Sequence, residues 1–213
     1  MIDLTLEINA LSDRIYDLRK SQDRVIVAIS GAPGSGKSTL AEELARRLNM
    51  QKCPAMVVPM DGFHLDNGIL DARGFRNRKG APETFDADGF VYLIRRLRTG
   101  LEVIAPTFDR PRDLSVAGAI EIPASCPVII VEGNYVMLNE APWTDLETLW
   151  DLTVHLHVPM PELRARLIQR WLSHNLSRAA ATRRAESNDI PNAQRVVDHV
   201  LPCDVTFGAA GQV

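Results

Sequence analysis

Residues 31–38, Gly31-Ala32-Pro33-Gly34-Ser35-Gly36-Lys37-Ser38, satisfy G-x-x-x-x-G-K-S at every required position. Glycines so spaced let the backbone turn tightly, and successive N–H groups then point inward around a phosphate. The helix expected from Lys37 adds its unpaired N–H groups and partial positive charge. Lys37 is placed to reach β- and γ-phosphates, and the Ser38 hydroxyl to ligate magnesium. Gly31, Ala32, Pro33, Gly34, Ser35, Gly36, Lys37, Ser38 and Thr39 together form the expected nucleotide-binding run.

Two acids follow apolar runs. Asp61 follows Pro54–Met60, where it can accept a proton from a substrate hydroxyl or help to hold magnesium. Glu132 follows Pro127–Val131, where it can orient water on magnesium or contact the substrate. His64, three residues past Asp61, is either a substrate contact or a structural hydrogen-bonding group. Between Leu163 and Ala185 lie six arginines, Arg164, Arg166, Arg170, Arg178, Arg183 and Arg184, with no acid among them. A basic surface helix would account for this run. A lid over a triphosphate accounts for it better, since guanidinium groups neutralise the transferring phosphoryl oxygens and closure excludes water. Arg170 and Arg178 are the first choices for that role, followed by Arg166.

The elements that must position these groups alternate between strand and helix. Val25–Ser30 reads as a buried strand, and Leu40, Leu44 and Leu48 mark the inner face of the helix after the loop. Leu4, Ile8, Leu11, Ile15 and Leu18 predict an amphipathic helix ahead of the first strand. Residues 66–85 are polar and glycine-rich, with Arg73, Arg76, Arg78 and Lys79 at their centre. They form either a solvated loop or a substrate flap whose cations meet an anionic group. A helix capped by Asp86 follows, closing at Gly100. Val103–Arg110, interrupted by Pro106, pairs with Ala119–Ile122 as a small hairpin that brings Asp109 and Arg110 near the substrate. Leu152–Val158 and Cys203–Phe207 read as further strands. His155 and His157 share one face without a third ligand, and Trp143 and Trp150 read as packed residues. A break at Ser173-His174-Asn175 divides the arginine-rich stretch into two helices. Asn188-Asp189-Ile190-Pro191-Asn192 reads as a polar turn that restarts a helix through Val196 and Val197, and the tail after Gly208 as frayed.

At 213 residues, 46% hydrophobic and 24% charged, the chain suits one domain with a core of its own. A net charge of −3 gives no reason to expect nucleic acid or an anionic membrane as partner. No apolar run approaches the ~18 residues of a membrane span. Cys53, Cys126 and Cys203 have neither zinc nor disulfide spacing, which fits a reducing cytoplasm, with burial the expectation for the last two.

Together these blocks resemble the family of uridine kinase, phosphoribulokinase and bacterial-type pantothenate kinase over roughly residues 22–207. Beyond the phosphate loop, the resemblance rests on Asp61-Gly62-Phe63, Arg78-Lys79-Gly80-Ala81-Pro82-Glu83-Thr84-Phe85-Asp86, Ala105-Pro106-Thr107-Phe108-Asp109 and Glu132-Gly133-Asn134-Tyr135. The second block is especially close to pantothenate kinase. The lid segment Arg170-Trp171-Leu172-Ser173-His174 lacks the Arg-Asp pairing of uridine kinases. The stretch 188–193 looks more like a kinase-like branch, some of whose members are labelled as associated with sugar transport.

The resemblance implies a three-layer α/β/α fold with a mostly parallel five-stranded sheet, substrate-side insertions over 62–122 and a mobile lid over 162–187. It implies ATP and magnesium, the latter held by Ser38, Asp61 and Glu132. The acceptor would be a small hydroxyl-bearing molecule, a sugar or sugar-like polyol first, with pantothenate or a nucleoside as alternative. Asp61 would activate its hydroxyl, and His64, Arg78, Asp109, Arg110, Glu132 and Tyr135 would line its pocket. The rival is a nucleotide-operated regulator that phosphorylates no metabolite. Related kinases often form oligomers, which leaves room for a homodimer.

Overall fold

The computed structural model describes residues 5–208. The helix α1 (Thr5–Ser21) leads into β1 (Val25–Gly31), the phosphate loop and α2 (Lys37–Met50). Then come β2 (Ala55–Pro59), the short helix α3 (Asn67–Ala72), α4 (Ala87–Arg98) and the hairpin β3 (Val103–Asp109) and β4 (Leu114–Ile122). The chain continues through β5 (Val128–Gly133), β6 (Leu152–Leu156), α5 (Met160–Ser173), α6 (Arg178–Arg184), α7 (Ile190–His199) and β7 (Val205–Phe207). Leu4 and the tail beyond Gly208 lie outside the described residues.

Five strands form one parallel sheet in the order β2-β5-β1-β6-β7. The central strands β1 and β5 are buried along their whole length. Their alternation divides the core in two. Ile26, Ala28, Ile129 and Val131 face α4, α5, α7 and the hairpin. Val25, Val27, Val128 and Ile130 face α1 and α2, where Ile8, Leu11, Ile15, Leu44 and Leu48 close the other layer. Each wholly buried leucine or isoleucine there contributes roughly 1.5–3 kcal/mol relative to exposure. Helices on both faces are what a parallel sheet with apolar strands requires.

The hairpin forms a separate antiparallel ribbon, with a register shift between Ala105 and Thr107 where Pro106 cannot donate to the ladder. It is longer than expected, since β4 begins at Leu114 rather than Ala119. The polar turn expected at Asn188–Asn192 is instead helical. A π-turn over Ala185–Asp189 joins α6 to α7, Pro191 sits in the first turn of α7, and Asn188 and Asn192 are buried. Their side chains account for this, because Asn188 donates to the Lys79 carbonyl at 2.8 Å and accepts from Asn192 at 3.3 Å. Polar residues here pin the lid to the flap rather than face water.

Arg24, only 8% exposed, stands just before β1. Its guanidinium donates to the carbonyls of Leu97, Leu101, Pro123, Ala124 and Cys126. This ties the C-terminal end of α4 to the segment that enters β5, with a cation placed where the helix dipole favours one.

Candidate active site

Every strand of the parallel sheet points its C-terminal end toward the phosphate loop, the edge at which α/β folds bind ligands. The loop closes on itself through Ser35 N–H donating to the Ala32 carbonyl at 3.0 Å. It enters α2 through Gly36, whose φ of 99° lies in the left-handed region. The Ser35 hydroxyl is buried with no partner among the described residues, the mark of a group whose acceptor or donor is a ligand.

Asp61 lies in a single 3₁₀ turn, Met60–Phe63, at the end of β2. Two glycines bring its neighbours close. A Cβ on Gly133 would sit 2.5 Å from the Met60 Cβ, and one on Gly62 would sit 2.7 Å from the Pro106 carbonyl oxygen. The hairpin therefore presses on the turn that carries Asp61, and Arg110 at its tip donates to the Asp61 carboxylate at 2.6 Å. His64 closes the turn. Its Nδ1 donates to the Asp61 carbonyl at 2.8 Å, and its ring centroid lies 4.1 Å from that of Phe85 and 4.5 Å from that of Phe108. Burial pulls the imidazole below its ordinary pKa, while Asp61 pulls it back.

Glu132, at the end of β5, is 6% exposed. Burial raises its pKa. The Lys37 ammonium works against that rise, Asp61 adds to it, and the Ser38 hydroxyl and Arg110 again lower it. Lys37, Asp61 and Ser38 thus all act on Glu132, and the four form one cluster. The oxygens of Ser38, Asp61 and Glu132 are the hard, sparse donor set that suits magnesium, which keeps several waters and shares substrate phosphates. No cluster of three or more His, Cys, Asp or Glu that could hold a metal occurs among the described residues.

A cavity of about 220 Å³ opens over this cluster. Of the residues expected to act, Pro33, Gly34, Lys37, Asp61, His64, Arg110 and Arg170 line it. A second, larger cavity of about 720 Å³ lies on the other side of the loop, with Ser35, Gly36, Thr39 and Arg166 in its wall beside Ile8, Leu40, Val158 and Gly208. Arg166 also donates to the Gly34 and Ser35 carbonyls at 3.1 and 3.0 Å, which buttresses the loop from outside. Gly31 and Ala32 are buried beneath the loop.

Five residues expected in the acceptor pocket or lid are not in this wall: Glu132 is buried outside it, and the other four turn elsewhere. Tyr135 is fully buried against Phe85 and Trp143, and its hydroxyl donates to the Gly80 carbonyl at 2.6 Å, so its neighbour Asn134 lines the cavity instead. Arg78 points outward to Glu83 at 3.0 Å, leaving Arg76 and Lys79 in the wall. Asp109 turns back to cap the hairpin, accepting from the Arg112 N–H at 3.0 Å. Arg178, the first residue of α6, is exposed, and Arg184 one helix end later takes the place expected of it.

The cavity wall also holds Trp171, Asp189 and Asn134, to which the sequence assigned no ligand role, and Lys79 of the basic flap. Trp171 donates through Nε1 to Asp189 at 2.5 Å, and the Arg184 guanidinium lies 5.2 Å over its ring. Burial raises the Asp189 pKa, with the Trp171 N–H pulling it down. Lys79, its side chain 9% exposed, donates to Asn67 Oδ1 and the Asp113 carbonyl, both at 2.8 Å, and pairs with the Asp113 carboxylate at 3.0 Å. Asn134 Oδ1 is buried without a partner among the described residues. Its place after Glu132 was the only sequence signal for it.

Comparison with known proteins shows the family and the fold. A family model described as an AAA domain matches residues 27–189. "Putative uridine kinase C227.14" of Schizosaccharomyces pombe is 36% identical over 92% of this chain and 88% of its own length. A crystal structure described as a "putative fructose transport system kinase" from Silicibacter sp. TM1040 superposes with a TM-score of 0.89 at 49% identity, covering 94% of this chain and 98% of that one. Pantothenate kinase of Streptococcus pneumoniae is 28% identical over 79% of this chain and 56% of its own length.

Proposed function

The chain belongs to the AAA-domain family of phosphate-loop proteins and stands among its small-molecule kinases; from that premise we propose that it transfers the γ-phosphoryl group of ATP to a hydroxyl of a small metabolite of the sugar or polyol class. The observation that carries this reading is the convergence of Lys37, Asp61, Arg170 and Arg184 on one cavity from four different elements. The relatives' names support an alcohol acceptor, and the one naming fructose transport supports a sugar.

The triphosphate lies along the loop, with its γ-phosphate in the smaller cavity and its nucleoside in the larger one. Lys37 and the loop N–H groups bind the β- and γ-phosphates. Arg170 and Arg184, neither held in an ion pair among the described residues, offset charge on the phosphoryl oxygens from the lid side. Asp61 orients the acceptor hydroxyl and takes its proton as the oxygen attacks phosphorus and the ADP oxygen leaves. Ser38, with Glu132 and Asp61, would hold magnesium, which would supply charge neutralisation at the phosphates. No helix among the described residues is long and apolar enough to cross a membrane, and all three cysteines are free, as a reducing cytoplasm would keep them.

The test is ATP consumption with magnesium across a panel of sugars, polyols, nucleosides and pantothenate, in wild type and Asp61→Asn. One acceptor should accelerate turnover, with its phosphorylated product seen by mass spectrometry. Asp61→Asn should lower that turnover by ~10²–10⁴-fold with ATP affinity little changed. Hydrolysis indifferent to every acceptor and retained in Asp61→Asn would instead make the chain a nucleotide-operated regulator.

A further inference from the structure

Although the chain as a whole carries a net charge of −3, its smaller cavity is lined by six cations, Lys37, Arg76, Lys79, Arg110, Arg170 and Arg184, against three carboxylates. The cations fall into two sets. Lys37, Arg170 and Arg184 come from the phosphate loop and the lid helices, the side on which a triphosphate is bound. Arg76, Lys79 and Arg110 come from the 62–122 insertions, the side left for the acceptor.

Within the second set the three differ in what already holds them. Lys79 is saturated by Asn67 and Asp113 and serves to fix the wall. Arg76 holds Asp71 loosely at 3.3 Å, both side chains being largely exposed. The Arg110 side chain is 58% exposed, and its one ion-pair partner among the described residues is Asp61. That partner is the group which, in the proposed reaction, must face the acceptor hydroxyl. A neutral polyol would have to compete for Asp61 and leave Arg110 without a direct ion-pair partner, with only the longer-range charge of Glu132 facing it. A carboxylate or phosphate on the acceptor removes this conflict by drawing the guanidinium off Asp61 as the hydroxyl arrives. An Arg fork suits either anion.

We propose that the acceptor is an anionic hydroxy compound, a hydroxy acid or a sugar phosphate, whose charged group is taken by Arg110 with Arg76 behind it, and that this exchange of partners frees Asp61. The inference rests on the kinase reading and narrows its acceptor class.

Matched acceptors that differ only in the anion test it: glucose with gluconate, glycerol with glycerate, fructose with fructose 6-phosphate. Each pair is assayed for phosphorylation, and for binding by calorimetry with magnesium and a non-hydrolysable ATP analogue, in wild type and Arg110→Gln. At least one anionic member should exceed its neutral partner in kcat/KM by ~10-fold or more, the scale of one charged hydrogen bond. Arg110→Gln should erase that ratio through the anionic member's KM, an effect that a merely structural role would not confine to one member of a pair. The carboxylate and phosphate arms identify which anion is recognised. Anionic members that bind selectively through Arg110, with no compound of either kind phosphorylated, would sustain the Arg110 anion site and sink the kinase reading. Neutral members that match or exceed their partners, or no selective binding of any anionic member, would overturn the inference.

Discussion

Replacing Gly62 by alanine should disturb the acceptor side while sparing the nucleotide side. Gly62 does not have positive φ, so its backbone conformation suits any residue, and the effect of a methyl group is purely one of space. That methyl would lie 2.7 Å from the Pro106 carbonyl oxygen, 2.8 Å from its carbon and 3.1 Å from its ring Cγ. Ordinary contact begins near 3.4 Å, so a gap of roughly 0.7 Å must open between the Asp61 turn and β3. The obstructing atoms are backbone carbonyl and a closed ring, which cannot rotate away as a long side chain would. Overpacking of this kind costs about 1–3 kcal/mol. In a chain of this size each kcal/mol lowers Tm by about 2–4 °C. The shift also moves Arg110, which β3 carries, away from Asp61.

Urea unfolding of Gly62→Ala should therefore show the loss of stability. Acceptor KM should rise by ~10-fold or more, the cost of misplacing a positioning group. Affinity for a fluorescent ATP analogue should stay within ~3-fold of wild type, because the phosphate loop does not touch the hairpin through Gly62. Unchanged stability together with unchanged acceptor KM would refute the idea that hairpin and turn are wedged together. An equal loss in nucleotide affinity would show that the whole edge of the sheet had moved.

Tyr135→Phe removes the hydroxyl bonded to the Gly80 carbonyl at 2.6 Å. Stability should fall by about 1 kcal/mol with kcat/KM within ~3-fold of wild type; a loss of ~100-fold would return Tyr135 to the acceptor pocket. His155 is buried, with Ser30 Oγ 3.3 Å from its Nδ1, and burial followed by the His157 charge lowers its pKa to about 4. The unfolded chain then takes up a proton below pH 6.5 that the native chain refuses until about pH 4, so stability falls as pH drops through that window. Urea unfolding at pH 7 and 4.5 should show wild type losing about 2–3 kcal/mol more than His155→Gln, since glutamine cannot titrate. Parallel losses in the two proteins would mean that His155 is protonated in the native state. His64 shifts in the same direction, which is why the variant and not the wild-type slope isolates His155.

What the sequence determined alone was whatever depends on local order. The phosphate loop, its flanking strand and helix, and the acids at the ends of β2 and β5 are contiguous patterns, and each appears where its pattern placed it. The alternation of β1 and β5 side chains between the two core layers and the four-residue spacing of α2 follow from backbone geometry. Tertiary structure decided which member of each pattern faces the cavity. Asn134 rather than Tyr135 reaches it, because the larger aromatic ring gains more by joining Phe85 and Trp143 in the core. Arg184 rather than Arg178 reaches it, because Trp171 offers a ring on which the guanidinium can lie. The segment 188–192 folds as helix rather than turn, because Asn188 finds the Lys79 carbonyl, more than a hundred residues away in the chain. Likewise the pairing of Arg110 with Asp61 joins residues forty-nine positions apart. Hydrogen bonds and stacking across such separations leave no periodic trace in sequence, and only the packed sheet brings their partners together.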